Sequence, residues 1–364
     1  MSEIIVEHTQ AKNDKRAIGL DFFRVSLALL VFAFHSRVHI GSSYWIFSGF
    51  VRMGALAMTG FFMLSGYVLG LSHKHQNYIE KKDILSFYLK RIIQIFPSYL
   101  FIAIVYILFF GNESVADNLL LLPIELFGMQ SFFGNLSNIS HNGVTWFISC
   151  LCFCYFMFPF VQKLTKMMSV KTRKILLVSL YAILIYLPFV LSHFSCNNLY
   201  DNPIYRFFEF YLGVLLSEIN MAQRSDINIH YFSRWALLMC VTILLIIVTS
   251  FSVMHGNYDI LNLNWIVVPS MIVYITVLGK TKFLHFNCSK SLLFLSNISY
   301  TFFLVQCIVW PVMINYVENS DRQNNLLLVV LSFMFCLSAA TLVYYFIDKQ
   351  IKRHFLPILN HNDS

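Results

Sequence analysis

Ten apolar stretches, each long enough to cross a bilayer, follow one another along this chain. They fall near residues 17–36, 44–71, 91–111, 144–162, 175–193, 204–221, 233–254, 260–279, 292–315 and 325–347. A hydrocarbon core about 30 Å thick takes roughly 20 helical residues, and within it every backbone amide and carbonyl must be bonded inside the segment. The expected fold is all-α: a polytopic membrane protein with about ten transmembrane helices. Composition points the same way. Of 364 residues, 58% are hydrophobic and 12% charged, where a soluble domain carries about 25% charged residues.

The charges that remain are unevenly spread. Of 26 Lys and Arg residues, 21 fall in the N-terminal tail, in alternate loops and in the C-terminal tail. The intervening loops hold only Arg37 and Arg322, and Arg24, Arg52 and Arg206 lie inside spans. Basic loops stay in the cytoplasm, so both termini are expected there, in an inner (cytoplasmic) membrane of bacterial type. The net charge of +8 therefore reflects topology, and nucleic acid is not an expected partner. Membrane lipids are. Residues 1–16 form a polar tail, 17–348 the transmembrane domain and 349–364 a second tail. The first span lacks a small-residue cleavage site, so no cleavable signal peptide is expected. Six of the eight Cys (150, 152, 154, 240, 307 and 336) sit in apolar spans without metal-ligand spacing, and no metal is expected. The longest non-basic loop, 112–143, has an apolar middle, Leu119 to Phe133, suited to lying on the membrane or re-entering it. Its sequons at Asn135 and Asn138 are short patterns that polar loops match by chance.

The first span is not uniformly apolar. Asp21, Arg24 and His35 interrupt it. At about 100° per residue, His35 returns to within roughly 20° of Arg24, and Asp21 lies about 40° away on the other side. One helix face thus carries an acid, a guanidinium and an imidazole. Arg24 and His35 are about 16 Å apart along the axis, roughly half the hydrocarbon thickness. Ionisable groups at that depth are costly and mark chemistry or transport. A polar seam gluing helices together is the plainer alternative.

Several short segments resemble the acyltransferase 3 family, integral-membrane proteins that move acyl groups, usually acetyl, onto cell-surface carbohydrates. Gly19 to Arg24 followed by His35 is similar to its opening signature. Phe61 to Tyr67 resembles its Phe-Phe-x-Leu-Ser-Gly segment, and Arg91 to Tyr99 its Arg-rich segment ending in Pro-x-Tyr. Thr145 to Ile148 with Tyr155, Tyr205-Arg206 with Gly213, Ile298 to Tyr300 with Leu304, and Tyr344 to Lys349 resemble the later segments in order. Three positions depart from the pattern: Gln94 replaces a second Arg, Gln306 a His, and Gln350 a Pro. Gln306 cannot take a proton, so the base is placed at His35.

The resemblance implies acetyl-CoA or another acyl-CoA as donor and an envelope polysaccharide or lipid-linked sugar as acceptor, and it leaves room for an extracytoplasmic partner enzyme. An imidazole suits removal of the acceptor hydroxyl proton. Asp21 lies about 21 Å along the axis from His35, so the group orienting His35 must come from another span, and Asp21 is expected to pair with Arg24. Arg91, Lys90 and Arg24 suit the donor's phosphates, with Lys82 and Lys90 making up for the missing second Arg; positive-inside anchoring explains Arg91 equally well. On the substrate side stand Trp146, Arg206, Ser65 and Tyr300. Arg206 can pair with Glu209, snorkel or line a pore. Ser65-Gly66 fits close helix packing better than a nucleophile. Two other functions compete: an exporter of polysaccharide or lipid-linked sugar on the same scaffold, and an ion-coupled transporter, disfavoured by few midplane acids and no inverted repeat.

Overall fold

The computed structural model describes residues 17–76, 78, 80–110, 115–133, 145–192, 199–222, 231–279, 289–318 and 325–361. The N-terminal tail and the sequons at Asn135 and Asn138 lie outside the described residues. Those residues form helices α1 Ile18–Ile40, α2 Ser48–Arg52, α3 Ala57–Ser72, α4 Lys81–Phe110, α5 Val115–Leu126, α6 Thr145–Met167, α7 Val170–Ser192, α8 Pro203–Ala222, α9 Tyr231–Met254, α10 Asn264–Leu278, α11 Ser289–Glu318, α12 Asn325–Val343 and α13 Lys349–His361. Among them there is no β-strand.

Among the described residues, nine helices are long and apolar enough to cross a membrane. The tenth expected span is α8, which carries Arg206, Glu209 and Glu218 and is almost wholly buried. It forms the centre of the bundle, wrapped by α3, α6 and α7. Its close approach to α3 depends on missing side chains. A Cβ at Gly66 would overlap the Phe210 carbonyl, and one at Gly213 would overlap that of Met63. The small-residue reading of Ser65-Gly66 is thus realised as backbone contact between α3 and α8. A Cβ at Gly19 would likewise overlap the carbonyl of Leu278, where α1 meets α10.

Three boundaries differ from the sequence reading. The single span expected over 44–71 is broken: 3₁₀ turns at Trp45–Phe47 and Gly54–Leu56 flank the short α2 before α3 begins. Gly41, in the left-handed conformation (φ +65), ends α1 with its amide bonded to Arg37 O. Helix α4 starts ten residues early, since the segment Lys81–Lys90, with Lys81, Lys82, Asp83 and Lys90 among apolar residues, extends the helix before the expected span. The expected C-terminal tail is helical too. A π-helical turn, Tyr344–Asp348, joins α12 to α13, and α13 packs against α4. The apolar middle of the 112–143 loop folds onto the bundle: Tyr99 donates to Glu125 O (2.6 Å) and Gln130 Nε2 to Thr145 O (2.6 Å).

Candidate active site

Two cavities open on the shared face of α1. One, of about 420 Å³, holds Arg24 and lies among α1, α3, α4, α11 and the π turn. The other, of about 620 Å³, holds His35 and lies among the far ends of α1, α4 and α11 and the loops leading into α8 and α10. The single-face geometry read from the sequence therefore becomes two chambers along one helix.

The Arg24 chamber is basic at one end. Arg91 lines it, its guanidinium held by Gln94 Oε1 (2.8 Å) and lying 5.8 Å over the Tyr155 ring. Gln94, one of the departures, thus positions Arg91 and lines the wall itself. Arg91 Nε is buried without a hydrogen-bond partner among the described residues. Just past α3, His73 presents Nε2 to Arg91 at 3.5 Å. Burial, reinforced by the Arg91 charge, pushes its pKa down to about 4. His73 is thus a neutral neighbour of Arg91 at pH 7. Lys352 completes the basic end and pairs with Asp348 at 3.2 Å. Asp348 is buried and also accepts from Ser98 Oγ. The π turn brings Asp348 and Lys352 into this wall, as single π turns often do at functional sites. Ser65, bonded to Tyr155 OH at 3.2 Å, and Tyr300, donating to Ile95 O at 3.0 Å, are wall residues here. Lys90 and Lys82 are not part of the lining.

Asp21 sits behind this chamber. Ser296 Oγ donates to Asp21 Oδ1 (2.6 Å) and accepts from Arg24 (3.5 Å), so α11 links the acid and the guanidinium of α1.

In the second chamber His35 is fixed from another span. Its Nδ1 lies 2.8 Å from Gln306 Oε1 on α11. Gln306 Nε2 donates to Phe302 O at 3.3 Å, which turns the amide oxygen toward the imidazole. An amide oxygen only accepts, so Nδ1 carries the proton and Nε2 keeps its lone pair. The substitution that removes a proton carrier at position 306 is therefore also the one that sets the tautomer of His35.

His39, one turn beyond His35, shares the cavity. Its ring centroid is 5.9 Å from that of His35 and 5.6 Å from that of Trp310, on which it stacks. Trp310 is 2% exposed, and its Nε1–H has no partner among the described residues. Trp146 and Tyr200, 5.0 Å apart, form another wall. Tyr258 lies 3.9 Å under the Arg52 guanidinium. Arg206 does not reach the cavity. It pairs with Glu209 at 2.8 Å, fully buried, and its guanidinium lies 4.6 Å from the Tyr200 ring and 5.6 Å from that of Trp146. It neither snorkels nor lines a pore; it backs the aromatic wall.

A basic chamber and an imidazole chamber on one helix suit transfer between two bound molecules. A family model described as an acyltransferase domain matches residues 18–345. The chain belongs to the acyltransferase 3 family. No curated protein and no solved structure matched it. The family match covers every segment that lines the two chambers except Asp348 and Lys352. Within this acyltransferase, sequence reasoning missed His39, Trp310, Tyr200, Tyr258 and Ser296. His39 carried a usable signal, the i, i+4 spacing from His35. Tyr200 and Tyr258 come from loops, where no local pattern announces them.

Proposed function

We propose that this acyltransferase moves an acyl group, acetyl in the first instance, from cytoplasmic acyl-CoA to a hydroxyl of an envelope polysaccharide or lipid-linked glycan. The observation that carries the reading is the pair of chambers on one face of α1, with Arg24, Arg91 and Lys352 in one and His35 in the other. Guanidinium and ammonium groups suit the donor's phosphates. The aromatic walls of the other chamber suit the apolar face of a sugar ring, and Asp259 offers a carboxylate to its hydroxyls. The excess of Lys and Arg in alternate loops supports a cytoplasmic side for the basic chamber.

In this reading His35 Nε2 takes the acceptor hydroxyl proton as the oxygen attacks the thioester carbonyl carbon. The new C–O bond forms, the carbonyl oxygen becomes an oxyanion, and Trp310 Nε1–H is an uncommitted donor in the same chamber. When the oxyanion collapses, the C–S bond breaks and the proton on His35 passes to the departing thiolate. Gln306 keeps Nδ1–H engaged throughout, so Nε2 is the nitrogen that exchanges the proton.

An exporter of the same glycan is the competing reading. Proton NMR of surface polysaccharide tests this. A deletion strain should keep its polymer and lose an acyl signal that the complemented strain regains. Loss of the polymer itself would move the assignment to export.

A further inference from the structure

The residues common to the linings of the two chambers are Met58 and Phe303. Both are buried, at 3% and 6% exposure. Phe303 is held from the side: its ring meets Phe147 edge-on at 5.2 Å, and Phe147 in turn lies 5.2 Å from Phe62. Met58 is differently placed. It is the second residue of α3, directly after the 3₁₀ turn Gly54–Leu56, and Ala55, Ala57 and Gly60 surround it in sequence. Methionine is unbranched and turns readily about three side-chain bonds, and a change from 3₁₀ to α geometry is a common place for backbone adjustment.

The transferase reading requires a crossing. A donor held by Arg24, Arg91 and Lys352 must deliver its carbonyl carbon to a hydroxyl beside His35, about 16 Å further along α1. The charged phosphates cannot follow through an apolar partition without large desolvation cost. The uncharged, slender thioester end can. We propose that Met58 and Phe303 form the gate through which the acyl-bearing arm passes between the chambers, Met58 swinging aside while Phe303 stays. In the absence of donor the same pair closes the bundle to water and protons. This inference rests on the transferase reading for the arm, whereas the seal follows from the partition alone.

The test uses the purified full chain in lipid nanodiscs and proteoliposomes, with acetyl-CoA as probe, and complemented cells for ester formation on surface polysaccharide. Met58→Trp, accepted only if it elutes as the wild type does, should bind acetyl-CoA within about twofold of the wild type yet lose ester formation by about 10²-fold, the scale of a misplaced reacting group. Met58→Ala removes the moving side chain and should let proteoliposomes dissipate a proton gradient faster than wild type. Normal ester formation by Met58→Trp would overturn the gate. So would loss of binding and transfer together, which would make Met58 part of the donor chamber only. Wild-type proton retention in Met58→Ala vesicles would overturn the seal, whether or not Met58→Trp folds. A wild type that neither binds acetyl-CoA nor forms an ester would instead remove the transferase reading.

Discussion

Replacing His35 by Gln separates a proton carrier from a hydrogen-bonding spacer. If His35 cycles a proton, His35→Ala and His35→Gln should both insert normally and both lose acyl transfer by about 10²-fold or more. A helix-bridging role would give the reverse order, with Gln active and Ala depleted from the membrane. Ester content per unit of membrane-inserted protein distinguishes the two. Gln306 acts through His35, so it is a positioning residue. Gln306→Leu removes the acceptor for Nδ1–H and should fall between wild type and His35→Ala in kcat, with little change in KM. Gln306→Glu restores an acceptor and should recover transfer, with a shifted pH profile because a carboxylate favours the imidazolium. A Gln306→Glu variant as poor as Gln306→Leu would mean that only the packing of this buried side chain matters.

Helix pairs decide whether those residues meet. Helices α3 and α8 touch through backbone at Gly66 and Gly213, and each added methyl meets a carbonyl oxygen that cannot rotate away. Gly66→Ala or Gly213→Ala should destabilise the bundle by about 1–3 kcal/mol or more, the usual range for overpacking. Thermal unfolding in detergent should show it as a lower midpoint, and an unchanged midpoint would mean the helices can part without penalty. The basic chamber is likewise a joint product of α4 and the π turn. Arg91→Ala and Lys352→Ala should each weaken acetyl-CoA binding by about tenfold, corresponding to one charge-assisted hydrogen bond. Equal affinity in Arg91→Ala and wild type would leave Arg91 as an anchor at the membrane edge.

Orientation belongs to the whole molecule. A reporter fused after about residue 135 should be extracytoplasmic and one fused after about residue 170 cytoplasmic. The basis is a loop from 112 to 143 without Lys or Arg, against five basic residues between 163 and 174. Opposite sides for the two reporters would reverse the proposed donor side as well. At this scale the buried Arg206–Glu209 pair makes sense. It costs α8 the hydropathy of an ordinary span, and α8 is the helix that lipid need not touch.

The ten apolar stretches, the polar face of α1 and the uneven charge were all readable from the chain, because bilayer thickness and helical periodicity act on local sequence. The close contact at Gly66 was readable for the same reason, since small residues at a helix face have few other uses. What touches His35 was not. Gln306 lies 271 residues away, and read alone it looked like the loss of a base rather than the group that orients one. For Arg206 the i, i+3 spacing offered the pair with Glu209 that the structure contains, beside snorkelling or lining a pore, yet its place behind Tyr200 and Trp146 depends on how α8 is buried by its neighbours. Met58 and Phe303, which line both chambers, come from helices far apart in sequence. Residues in different spans meet through packing, and packing is a property of the assembled bundle that no single span encodes.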